Sequence, residues 1–228
     1  MDRFTLNQKI LSLFLIVPGL IMSPAIVDAA ESKKREAVKK ESVSYNRIKG
    51  FRSARFGMTE KQVRKAISKD FGKLAKTIKK KVHPTDKTVG ISVNANNLVS
   101  DEGTSRISYI LGYKTKKLIQ INIGLGFPYE KSKSIASVVS AGNLLRGHFL
   151  KKNYPKEGMV VNARINEQTV LVFRAIDEKN AGIVLTLQTS EIPPEDDKKK
   201  AKTVARLQLY YIKDVKEADI FKLKESAF

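Results

Sequence analysis

The amino-acid sequence predicts an α+β protein of two units, each a helix followed by antiparallel strands, with the helices packed on the antiparallel sheet. Three observations predict it. The apolar spacing changes twice from steps of three and four to alternation, once after His83-Pro84 and once after Phe149. The alternating stretches are short and are separated by clusters of Gly, Asn and Asp, as antiparallel strands require. The chain of 228 residues has no cysteine, so an ordinary hydrophobic core must hold the fold, and a chain of this length can bury one.

The first element is not part of that fold. Arg3 and Lys9 precede an apolar run, Ile10 to Met22, broken only by Ser12, Pro18 and Gly19. Val27 and Ala29 then stand three and one residues before a cut between Ala29 and Ala30, which is the pattern of a secretory signal peptide over residues 1–29. Pro18-Gly19 falls within the run, too early for the roughly 20 apolar residues of a membrane span. The predicted location is therefore periplasmic or secreted, with no integral membrane segment left after cleavage. Residues 30–49 mix Lys33-Lys34-Arg35 and Lys39-Lys40 with Glu31, Glu36 and Glu41, and read as a flexible basic arm.

The first unit spans 50–126, and its large apolar residues begin at Gly50-Phe51 and Phe56-Gly57-Met58. Thr59 is a helix N-cap, and Val63, Ile67, Phe71, Leu74, Ile78 and Val82 follow on one helical face. Gly72 interrupts that face, so a helix–turn–helix and one bent helix both stay open. Opposite it, Lys61, Lys65, Lys69, Lys73, Lys76 and Lys80 form one basic stripe if the helix runs through. A strand is expected around Val89, Ile91 and Val93. A hairpin follows, with arms Arg106–Tyr113 and Leu118–Leu125 and the basic tip Lys114, Lys116, Lys117.

The second unit, 127–228, opens at Phe127-Pro128-Tyr129 and continues with a helix whose stripe is Ile135, Val138, Val139, Gly142, Leu145 and Phe149. Strands are expected over 159–165, 169–176, 183–189 and 204–212, with an exposed charged connection from Pro193-Pro194 to Lys202 and a polar tail. The order of elements invites reading as a tandem αβββ repeat.

The stretch Arg55-Phe56-Gly57-Met58-Thr59-Glu60-Lys61-Gln62-Val63 resembles the helix opening of small bacterial envelope proteins related to the outer-membrane-assembly lipoprotein and to the beta-lactamase-inhibitor-protein fold. The resemblance covers about ten residues and the element order. It implies a non-enzymatic envelope module that binds other proteins or the outer membrane. The chain departs from it in lacking a lipobox cysteine and in carrying the lysine stripe.

Charge sets the function class. Lys and Arg exceed Asp and Glu by 20, and the signal segment contributes nothing net because Asp2 and Asp28 offset Arg3 and Lys9. Such a field attracts polyanions. For an exported protein those are lipid headgroups, acidic glycopolymers or an acidic envelope protein rather than nucleic acid. His83 and His148 have no triad partners in the sequence. The acidic runs Asp101-Glu102 and Glu195-Asp196-Asp197 sit in loops, so no catalytic residue, metal ligand or cofactor is assigned. The function expected is an exported binding or scaffold protein that docks through its nine lysines. The alternatives are an exported hydrolase of a wall or surface polymer, and an inhibitor or chaperone of one envelope protein.

Overall fold

The computed structural model describes residues 44–99, 103–130, 134–194 and 201–223. All of them belong to one compact unit, Ser42–Phe228. The signal segment and most of the basic arm lie outside the described residues, as does most of the charged connection after Pro194.

The architecture is α+β, dominated by one antiparallel sheet. A two-residue pair, β1 (Gly50–Phe51) with β2 (Ala54–Arg55), leads into α1 (Glu60–Phe71), a 3-10 helix (Gly72–Thr77) and β3 (Lys79–Val82). Next come β4 (Val89–Asn96), β5 (Thr104–Leu111) and β6 (Leu118–Gly126). After α2 (Ile135–Leu150) follow β7 (Val160–Asn166), β8 (Thr169–Ile176), β9 (Gly182–Ile192) and β10 (Lys202–Ile212). Eight strands form one sheet in the order β3-β4-β5-β6-β10-β9-β8-β7. Each half is a meander of sequence neighbours, and the halves join where β10 pairs with β6 from Arg206↔Gly126 to Ile212↔Gln120.

Register places the core on one face of that sheet, because residues paired across an antiparallel ladder point the same way. Ile91, Tyr109 and Ile121 share one row, which continues through Tyr211 to Ile183. Val93, Ile107, Ile123, Leu209 and Leu185 form the next row. Most of these side chains are fully buried, together with Val63 and Ile67 of α1 and Val138, Ala141 and Phe149 of α2. Phe149 stacks on Phe173 at 5.4 Å, and α2 runs close to Leu207 at Gly142.

The helix predicted beyond Gly72 is not there. Thr59 caps α1 as expected, with Gln62 completing the capping box, but Gly72 adopts φ +54 at the C-cap and the chain then turns through the 3-10 helix into β3. Neither a bent helix nor a second α-helix forms. The apolar face assigned to the longer helix is correspondingly incomplete: Leu74 is 40 % and Val82 54 % exposed. β3 is an edge strand of Lys79-Lys80-Lys81-Val82, whose charge keeps an open edge from pairing further.

Two other expectations change. The basic arm does not extend to residue 49, because Ile48 is buried and its N–H donates to Asp177 Oδ2 at 2.9 Å. The first hairpin arm is Thr104–Leu111, not Arg106–Tyr113, since Gly112 and Tyr113 already belong to the turn. Part of the polar tail is fastened across the strand ends: Lys213 N–H donates to Ile119 O, Val215 N–H to Asn180 O and Phe221 N–H to Asp86 O. Strands β4 and β6 to β10 lie within three residues of their predicted bounds, whereas no strand is expected at β1, β2 or β3.

Candidate functional site

The nine predicted lysines are all exposed, but they do not form one helical stripe. Lys61, Lys65 and Lys69 fall at steps of four on α1, opposite the buried Val63, Ala66 and Ile67. Lys73 and Lys76 follow on the 3-10 helix, past the turn at Gly72. Among the described residues none of these five has an ion-pair partner. All five are exposed, so their charge faces solvent.

Lys80 leaves the set. It lies on β3, and its Nζ is 2.8 Å from Glu60 Oε2, while Arg64 holds the other oxygen of the same carboxylate at 2.9 Å. These two cations keep the Glu60 carboxyl below its ordinary range, Lys80 foremost. Lys80 is thus an internal partner that ties the edge strand to the first turn of α1. The sequence missed this because it placed Lys80 on the helix, where it would have faced solvent.

The hairpin tip joins the ridge at that same end. Lys117 forms a bridge with Thr59, the N-cap of α1, and Leu118 N–H donates to Met58 O at 2.8 Å. Lys117 and Lys61 therefore flank the helix N-terminus, whose own partial positive charge adds to theirs. The tip is rigid. Asp219 from the C-terminal segment accepts from Lys114 N–H at 2.8 Å, Thr115 N–H at 3.0 Å and the Thr115 hydroxyl. Burial works against ionisation of Asp219, but the Thr115 hydroxyl and these N–H groups outweigh it and hold the carboxyl low. Lys116 sits 5.0 Å from the Tyr113 ring centroid, which in turn packs edge-on against Phe221.

Two further exposed cations that periodicity assigned to no site, Lys79 and Lys81 on the edge strand, pair with Ser92 and Gly90 and so face away from Lys80 and the core side of the sheet. Their alternation with Lys80 was the available signal: in a strand, successive side chains face opposite ways.

Neither histidine builds a reactive centre. His83 lies in the turn before β4, where Nδ1 is 3.3 Å from Asp86 N and 3.1 Å from Asp86 Oδ1, a local turn contact. His148 is exposed, with its ring edge-on to Phe149. Among the described residues no three His, Asp or Glu side chains gather as a metal site would need. No described helix is long and apolar enough to cross a membrane. No family model, curated protein or solved structure matches the chain.

Proposed function

We propose that the chain is an exported, non-enzymatic binding or scaffold protein that docks on an anionic envelope surface through Lys61, Lys65, Lys69, Lys73 and Lys76, with Lys114, Lys116 and Lys117 extending the contact at one end. The observation that carries this reading is the set of five exposed lysines, three on the outward side of α1 and two on the 3-10 helix after it, none with an ion-pair partner among the described residues. Lysine suits such a partner: a compact, well-hydrated cation on a flexible stem needs no fixed geometry and works on lipid headgroups or acidic glycopolymers alike. The signal-peptide pattern read at residues 1–29 supports a location beside these polymers. The element order, a helix and then a four-strand meander in each half, supports reading the fold as two copies of one unit, in keeping with the envelope-protein resemblance at Arg55 to Val63.

The test is co-sedimentation of the mature chain, beginning at Ala30, with phosphatidylglycerol vesicles at low and high salt. Binding is expected at low salt and should fall steeply as the Debye length shrinks from about 10 Å toward 3 Å. Each lysine near an anionic surface contributes about 1 kcal/mol, so reversing Lys65, Lys69 and Lys73 to glutamate should weaken binding by upward of about a hundredfold. All three side chains are exposed, so the thermal midpoint should hold. Binding that ignores salt, or that survives the triple reversal, sinks the proposal.

A further inference from the structure

The sheet has a second face, chemically unlike the lysine ridge. Val63 and Ile67 of α1 join the core face, and α2 approaches that face at Leu207. Alternation turns the intervening residues the other way. The rows there are Ser92–Ser108–Asn122–Tyr210–Val184–Arg174 and Asn94–Arg106–Gly124–Gln208–Thr186, with Arg206 and Gln188 paired beyond them. Most of these side chains are part-exposed, and none of them is Asp or Glu. Glu130, in the turn after β6, accepts from Thr104 N–H at the end of this face.

Three guanidiniums stand on it: Arg106, Arg174 and Arg206. Each has its Nε buried and without a hydrogen-bond partner. Arg106 reaches Ser92 Oγ through Nη2 at 3.1 Å, and among the described residues no carboxylate lies within ion-pair distance of any of the three. Sealing Nε from water without an acceptor is unfavourable.

Between the arginines lies an aromatic floor. The Tyr129 ring covers Gly124 so closely that any Cβ there would collide with it. Tyr210 donates its hydroxyl proton to Gln208 Oε1 at 2.6 Å, and burial pushes its pKa up to about 12, so it stays a neutral donor. Arg106 and Arg206 are two strands and two residues apart, about 12 Å from strand spacing and rise.

The geometry points to this face as a second docking site, for a protein segment bearing several carboxylates. Arginine and tyrosine around a desolvated centre are the residues that dominate protein–protein binding energy, and planar guanidiniums pair carboxylates bidentately. The charge complement is what names the occupant: three arginines with no carboxylate within ion-pair distance among the described residues, on strand rows that carry no Asp or Glu. The site is independent of the lysine ridge and stands if that reading fails.

The test titrates the full mature chain with a capped oligo-glutamate peptide and follows the arginine Nε–Hε signals by 1H–15N NMR. The signals of Arg106, Arg174 and Arg206 are expected to move together and saturate. The Arg106→Gln/Arg206→Gln pair should weaken binding by about thirtyfold or more, the scale of one hot-spot contact. Reversal of Lys65, Lys69 and Lys73 should leave the three signals responding. Three outcomes overturn the proposal: no response of these signals in the wild-type chain, equal binding by the arginine variant, or a response to inorganic polyphosphate but not to the peptide. The wild-type titration decides the matter even if the double variant fails to fold. Concentration-dependent dimers dissolved by Arg206→Gln would assign the face to a second copy instead and would equally sink it.

Discussion

Replacing Asp177 with alanine is expected to lower stability by about 3–5 kcal/mol, the range for removing one partner from a buried, hydrogen-bonded charge. The Asp177 side chain is 0 % exposed. Its Oδ2 accepts from Arg47 Nε and Ile48 N–H, both at 2.9 Å, and its Oδ1 from Lys179 N–H at 2.8 Å and Ala181 N–H at 3.0 Å. One carboxylate thus closes the β8–β9 turn and pins the segment before β1 to it. Asparagine should fare little better, since whichever way its amide is turned, the NH2 meets two donors where an acceptor stood.

Asp177 also predicts a pH dependence. Burial alone would raise its pKa, but the hydrogen bonds from Ile48, Lys179, Arg47 and Ala181 prevail and hold it below the ordinary 3.8. A carboxyl depressed in the folded state contributes stability above its unfolded pKa and loses it as pH falls through the folded one. The stability gap between wild type and Asp177→Asn should therefore be full at neutral pH and narrow on acidification below 3.8. Urea unfolding across that range measures it. A gap that is constant with pH, or a loss under about 1 kcal/mol at neutral pH, would show that the carboxylate is not the clasp described.

Leu207→Ala is expected to cost about 3–4 kcal/mol, within the range for fully buried leucines. Leu207 is 0 % exposed, stands opposite Leu125 on β6 and Leu187 on β9, and lies under α2 at Gly142. Its position gives the variant a second reading. Among the described residues β6–β10 is the one ladder joining the two meanders, so Leu207 sits on the seam. Because the core rows run through that seam, the halves should unfold together. Tyrosine fluorescence and far-UV circular dichroism should report one coincident urea transition in wild type and variant alike. Two separated transitions would mean that the halves are independent domains.

The sequence by itself determined what is local. Thr59 and Gln62 had only to lie three residues apart to form a capping box, and Val63, Ala66 and Ile67 only to recur on one helical side. Alternation likewise identified β4 and β6, since a half-buried strand repeats every two residues wherever it pairs. The lysines of α1 were legible for the same reason.

The tertiary structure decided what depends on partners distant in the chain. Val82 and Lys80 fit a helical period as well as a strand, and the choice fell to pairing with β4 and the ion pair with Glu60. Ile48 looked like part of a solvated arm until Asp177, 129 residues away, accepted from its backbone. Arg106, Arg174 and Arg206 lie on three separate strands and share no spacing; only register turns them to one face. Periodicity reports which side of an element meets the core, and strand order, set by long-range hydrogen bonds and burial, reports what that side meets.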